Sequence, residues 1–360
     1  MDSIIFIDFI PYLLLVSLCG FCAYYPTKND LGVKVIFGAL LLFAALRYNV
    51  GWDYSTYSKL IEKADAAGLD FKRIEWLSRN LMLLAHYTFT QLYFIINSVI
   101  GLCCIYSVCK KYSHDVAMSL FLFLTFSLFY LMSMNIIRNF TAVLMVVYAC
   151  QLFLEKRYLG YIILIFLAAG MHSSAYIGLV LPLLWVLNLS RMTNVVLFVC
   201  SFIIGVIVKE WILSLSTNSL TERMVFYVMN EESEGSGPYK YVFYIINMTF
   251  LIFWDKIVKV DIRNRFFLQL VNIGVCIWTA FSFQSTLSLR FSLFFTIWMI
   301  VLVPALIDTF SVRNQKLVKQ LVMLSFAGLF FLNLYILATA YNKNLIEQAS
   351  FLPYKIFFFQ

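Results

Sequence analysis

The sequence predicts an all-α fold, a polytopic bundle of transmembrane helices. Three observations carry this. Of 360 residues, 62% are hydrophobic and only 13% charged, whereas a soluble globular chain carries about 25% charged residues. Mean hydropathy is +0.85. Apolar runs of near-span length recur almost end to end. In a soluble protein of this size, too much of that apolar surface would face water.

The first run, 4–25, has Asp2 and Asp8 where a signal peptide would carry Lys or Arg, and no small-residue cleavage site follows. It is expected to be a retained span. The second run, 33–47, closes on Arg47 and opens into the patch RYNVGWDYSTY. Residues 76–88 form a weaker apolar helix containing Arg79, Asn80 and His86. It is expected to be re-entrant or interfacial, inside an outer segment 48–91. Further spans are expected at 92–109, 117–135, 138–154, 158–171, 174–189, 193–209, 241–255, 265–284, 291–307 and 318–340. That makes about twelve crossings in one integral membrane domain, 1–360. Several runs are shorter than the ~20 residues of a straight span, so interfacial residues are expected at their ends. A second long outer segment, 209–240, contains an amphipathic stretch near 217–229 and the acidic NEESEGSGP. It reads either as an ordinary solvated loop or as a lid hinged at Gly235 and Gly237. The eight cysteines lie in or at the ends of apolar runs without metal-ligand spacing to histidine, and read as small apolar packers.

Orientation follows from the connectors. Linkers 26–34, 110–115, 155–157, 190–192, 255–265 and 308–319 share one side and together hold 14 Lys+Arg against 6 Asp+Glu. Short basic linkers face the cytoplasm. The outer side then collects Arg47, Asp53, Arg138, His172 and Arg290. Ionisable residues at span boundaries are costly unless paired or hydrated, so each is a functional candidate. Recognition of a phosphate or pyrophosphate at the membrane surface wants this set. Arginine stays charged and its fork matches phosphate oxygens, a nearby His or Asp takes a proton from an attacking hydroxyl, and Trp and Tyr stack on sugars. Taken singly, Arg47 also reads as a snorkelling anchor, Asp53 as a helix cap and His172 as a packed, hydrogen-bonded helix-start residue. No Walker loop, GxGxxG or HExxH is present, so no nucleotide or zinc site is expected.

Several segments resemble the EpsG-like branch of the Wzy-type polysaccharide polymerases. They are RYNVGWDYSTY (Arg47 to Tyr57), the Glu75 segment, IRNFTA around Arg138, MHSSA around His172, SLRFSLFF around Arg290 and the closing LPYKIFFF. Trp52 and Asn139 depart from the residues common there. The resemblance implies a multi-pass protein of the bacterial inner membrane whose active site faces the periplasm. It would join undecaprenyl-pyrophosphate-linked oligosaccharide repeat units into O-antigen or exopolysaccharide. No cofactor, metal or nucleic acid is expected. Membrane lipids surround it, and a chain-length regulator is a candidate partner. On this reading Arg138 and Arg290 bind pyrophosphate with Arg47 in support, His172 or Asp53 is the base with His172 preferred, and Trp52, Tyr54 and Tyr57 face sugar. The rivals are another membrane glycosyltransferase or ligase using polyprenyl-linked donors, and a lipid-linked oligosaccharide flippase. A flippase should carry ionisable groups along a midplane path and show internal repeats, and no clear repeat is visible.

Overall fold

Apolar runs become helices in chain order. The computed structural model describes residues 6–25, 30–64, 73–214, 239–342 and 351–358. The helices are α1 (Ile10–Tyr24), α2 (Leu31–Ala45), α3 (Tyr54–Glu62), α4 (Trp76–His86), α5 (Gln91–Tyr112), α6 (Val116–Thr125), α7 (Tyr130–Asn135), α8 (Ile137–Leu154) and α9 (Tyr158–Met171). A 3-10 helix, Ser173–Val180, leads into α10 (Leu181–Leu187). Then come α11 (Arg191–Ser214), α12 (Tyr239–Ile252), α13 (Trp254–Val260), α14 (Asn264–Ala280), α15 (Ser285–Thr296), α16 (Met299–Ile307) and α17 (Val312–Asn342). The described residues contain no strand beyond one isolated bridge, between Arg47 and Ile356.

Among the described residues, five helices are long and apolar enough to cross a membrane. Two bent pairs bring the number to seven if each pair is one span: α12 with α13, bent by 72°, and α15 with α16, bent by 50°. The expectation of twelve counted shorter runs as well. Those runs fold as the apolar helices Leu31–Ala45, Val116–Thr125, Tyr158–Met171 and Ser173–Leu187. Fifteen residues at 1.5 Å each reach only about 22 Å against a hydrocarbon core of about 30 Å, so twelve crossings do not follow from helix length. The 76–88 run is an 11-residue helix, about 16 Å long and too short to cross. Its inward residues Ser78, Met82 and Ala85 repeat at helical spacing, which lays one face on the core. The lid expected within 209–240 lies mostly outside the described residues.

The chain divides into two compact units, residues 1–178 with 311–360, and residues 179–310. In the first unit α8 is the central helix. It is apolar around most of its circumference and buried along most of its length, packed by α5 and α9. Its first turn carries Arg138. Just past its other end, Glu155 pairs with Lys111 at 3.3 Å. At that same end Asp115 caps α6 through Met118 N at 2.9 Å and takes Lys319 Nζ of α17 at 2.5 Å.

The break between α7 and α8 is held by the patch that follows α2. Gly51 has φ +98°, and a Cβ there would stand 3.0 Å from the Met134 carbonyl oxygen. Asp53 N donates to Asn135 Oδ1 at 3.1 Å, and Arg47 Nη2 to the Met134 carbonyl at 3.1 Å. The C-terminal segment straps the patch from the other side. Tyr48 N donates to the Lys355 carbonyl at 2.9 Å and Phe357 N to the Leu46 carbonyl at 2.8 Å, while the Tyr354 ring stacks on Phe43. Gly51→Ala meets both a left-handed backbone and a close carbonyl. It is expected to cost about 1–3 kcal/mol, read as a lowered unfolding temperature in detergent; unchanged stability would contradict the clamp.

In the second unit α14 is central, packed by α11, α12 and α15. A buried asparagine chain ties three of these helices. Asn247 Nδ2 donates to Asn272 Oδ1 at 2.9 Å, and Asn272 Nδ2 donates to the Asn194 carbonyl at 3.0 Å. Inside lipid such polar contacts hold helices together where apolar packing gives little preference.

Candidate functional site

One charged cluster of the first unit lies at the starting end of α8. Because α7 stops at Asn135 and α8 starts at Ile137, Arg138 emerges on the first helical turn. Its Nη1 lies 2.6 Å from Glu75 Oε2, with the two side chains 24% and 20% exposed. Its Nε points to the Tyr57 hydroxyl at 3.4 Å, and its guanidinium stands over the Tyr57 ring at 5.9 Å.

Glu75 immediately precedes α4 yet makes no side-chain cap there. Its carboxylate turns to Arg138 and, through Oε1, accepts from Ser173 N at 3.0 Å. Close packing of α4 on α9 permits this. At Gly170 an added Cβ would fall 2.6 Å from the Trp76 ring, so only glycine lets Glu75 reach the end of α9. Burial by itself raises the Glu75 carboxyl. The Ser173 N–H, its own backbone N–H, the Arg138 guanidinium and, once protonated, His172 together outweigh that and hold it below the ordinary 4.5. A depressed folded-state value means that the stabilisation is present above the ordinary carboxylate range and is lost as pH falls through the depressed value. Wild type should therefore lose more stability than Glu75→Gln on acidification below about pH 4.5; parallel unfolding curves down to about pH 3 would reject this.

His172 ends α9, with its N–H on the Ala168 carbonyl at 2.9 Å. Its Nδ1 accepts from Ser174 N at 3.3 Å and meets Ser174 Oγ at 2.7 Å. Ser174 Oγ in turn accepts from Asn139 Nδ2 at 2.8 Å. A backbone N–H only donates, so Nδ1 is an acceptor and the neutral ring carries its proton on Nε2. That edge of the ring therefore offers a donor. Asn139 Oδ1 is buried without a partner among the described residues.

The remaining expected residues are placed as follows. Asp53 is partly buried and lies within electrostatic reach of the Tyr57 hydroxyl, beside the cluster. Arg47 is 1% exposed and turned inward. It donates to the Ala44 and Met134 carbonyls and lies 5.3 Å from the Phe94 ring centroid, and its Nε has no hydrogen-bond partner among the described residues. Tyr54 and Tyr57 are buried in the aromatic core with Tyr93 and Phe94. Tyr54 stacks on Phe94 at 4.1 Å and gives its hydroxyl to Gln91. Trp52 is half-buried, 6.4 Å from the Phe351 ring. Arg290 sits midway along α15, in the second unit.

The cluster thus joins Arg138, Glu75, the Ser173–Ser174 turn, Asn139 and His172 from three separate stretches of sequence. Glu75, Asn139 and Ser174 are the site residues that reading by charge and span boundary did not select. Glu75 stood out only through the resemblance.

The fold and this cluster define a multi-pass membrane protein with an ion-paired, hydrogen-bonded site at one end of a helical unit. The EpsG family model matches residues 33–356, nearly the whole chain, and the chain belongs to the EpsG family. That membership supports a function of the membrane polysaccharide polymerase type, in a glycosyltransferase-like family. No curated protein and no solved structure matches the chain.

Proposed function

We propose that the protein joins oligosaccharide repeat units carried on undecaprenyl pyrophosphate, at the periplasmic face of the bacterial inner membrane. The observation that carries this reading is the Glu75–Arg138–His172 cluster. It lies at the end of α8 opposite the Lys111–Glu155 and Asp115–Lys319 pairs, which belong to the short basic linkers.

In the transfer, an acceptor sugar hydroxyl attacks the anomeric carbon of the growing chain, the C–O bond to pyrophosphate breaks, and lipid pyrophosphate leaves. Negative charge grows on the leaving oxygens. Arg138, aimed by Glu75, and His172, donating from Nε2, stabilise that growth more than the ground state. Asp53, beside the cluster, takes the hydroxyl proton, so the base falls to it and not to the preferred histidine. On this reading Trp52 is the aromatic available to a sugar.

The test is deletion of the gene followed by a surface-polysaccharide gel. A single-repeat band in place of the ladder supports polymerisation. Loss of polymer and single repeat together assigns an earlier step and rejects it.

A further inference from the structure

The second unit carries a cavity of about 420 Å³ where α10 ends and α14 begins. Its walls include Trp185, Val186, Ile262, Arg263, Arg265 and Phe266. Arg265 Nη2 donates to the Asn188 carbonyl at 2.9 Å, which fixes the guanidinium at the wall. Its Nε is buried and has no hydrogen-bond partner among the described residues. A buried charged donor left in this way calls for an acceptor oxygen. Arg263 is oriented by Asp261, with Nε 2.9 Å and Nη2 2.5 Å from Oδ2.

Charge at this end of the unit is unbalanced. In sequence, Arg191, Lys256, Lys259, Arg263 and Arg265 stand against Asp255, Asp261 and Asp308, with Asp255 paired with Arg191 at 3.2 Å and Asp261 with Arg263 at 2.5 Å. Beside the arginines stand exposed apolar side chains, Val186 at 76% and Ile262 at 71%. Indole and guanidinium side by side suit the headgroup level of a bilayer.

The geometry points to a binding site for an anionic phospholipid. The phosphodiester occupies the cavity against Arg265 Nε and Arg263, and the acyl chains run over Val186 and Ile262. A free phosphate would meet the same cations but leave the apolar rim uncovered, so the lipid is the occupant. The site is independent of the Arg138 cluster and of the function proposed for it.

Full-length protein, purified in detergent, is titrated with phosphatidylglycerol or phosphatidylcholine, and retained lipid is counted by native mass spectrometry. Retention of phosphatidylglycerol is expected to exceed that of phosphatidylcholine several-fold. Arg265→Gln should abolish the preference, whereas Arg191→Gln, a charge loss outside the cavity wall, should preserve it. Because Arg265→Gln also removes the bond to Asn188, Ile262→Asp serves as the second variant. It keeps every hydrogen bond, places an anion on the rim, and should abolish the preference equally. Equal retention of the two lipids overturns the site, as does a preference that survives both cavity variants or falls as far in Arg191→Gln. Displacement of phosphatidylglycerol by millimolar inorganic phosphate overturns the lipid as occupant.

Discussion

Arg138→Ala is expected to leave a folded protein that makes no polymer ladder. Removing a fixed donor aimed at developing negative charge costs about a hundredfold or more in rate, roughly 2.7–4 kcal/mol of transition-state stabilisation. Stability should suffer less. The Arg138–Glu75 pair is about a fifth exposed on each side, so loss of one partner is screened and should cost about 1–2 kcal/mol. Glu75→Gln separates aiming from charge. Glutamine still accepts the Ser173 N–H, but no longer holds the guanidinium by an ion pair. Its activity should fall less than that of Arg138→Ala, and the double variant should be no worse than Arg138→Ala alone, because both changes act on one device. A full ladder from Arg138→Ala would remove the cluster from the mechanism. Additive losses would give Glu75 a role of its own.

What the sequence disclosed about this site follows from how membranes price charge. Arg138 and His172 stand out because each interrupts or ends an apolar run, and the structure brings both to Glu75. Glu75 itself lies in a polar connector, where an acid is unremarkable. Its meaning depends on partners 63 and 98 positions away, and on Gly170, whose missing side chain lets α4 close on α9. Helical class was legible for the same reason as Arg138, since apolar runs must satisfy their backbone internally. Bends were not. The runs 241–255 and 291–307 are continuous in hydropathy, yet the helices there break by 72° and 50°. Tyr54 and Tyr57 looked like sugar platforms because aromatics cluster both at interfaces and in cores. Spacing alone does not separate the two uses, and here the rings fill a core.

Arg47 shows the same ambiguity for a cation, and its replacement should have the largest effect on stability. A phosphate ligand must present its fork to an opening. Arg47 instead spends its donors on the Ala44 and Met134 carbonyls, beneath the Phe94 ring and at 1% exposure. It bridges the end of α2 to Met134, the penultimate residue of α7, and the main chain at 46–48 is strapped by 355–357. Arg47→Ala would empty a large buried volume and strip donors from two carbonyls. A loss of about 3–5 kcal/mol is expected, seen as poor accumulation and a lowered unfolding temperature. Arg47→Lys keeps the charge, but a single ammonium reaches the two carbonyls less well than a planar fork, so it should recover part of the stability and some polymer. The phosphate-ligand alternative predicts the reverse: normal stability in Arg47→Ala with activity gone. Under the proposed function, Arg47 would bear on the reaction only through the Met134 carbonyl, by helping to set where α8 begins and so where Arg138 points. Stable but inactive Arg47→Ala protein would return Arg47 to the substrate.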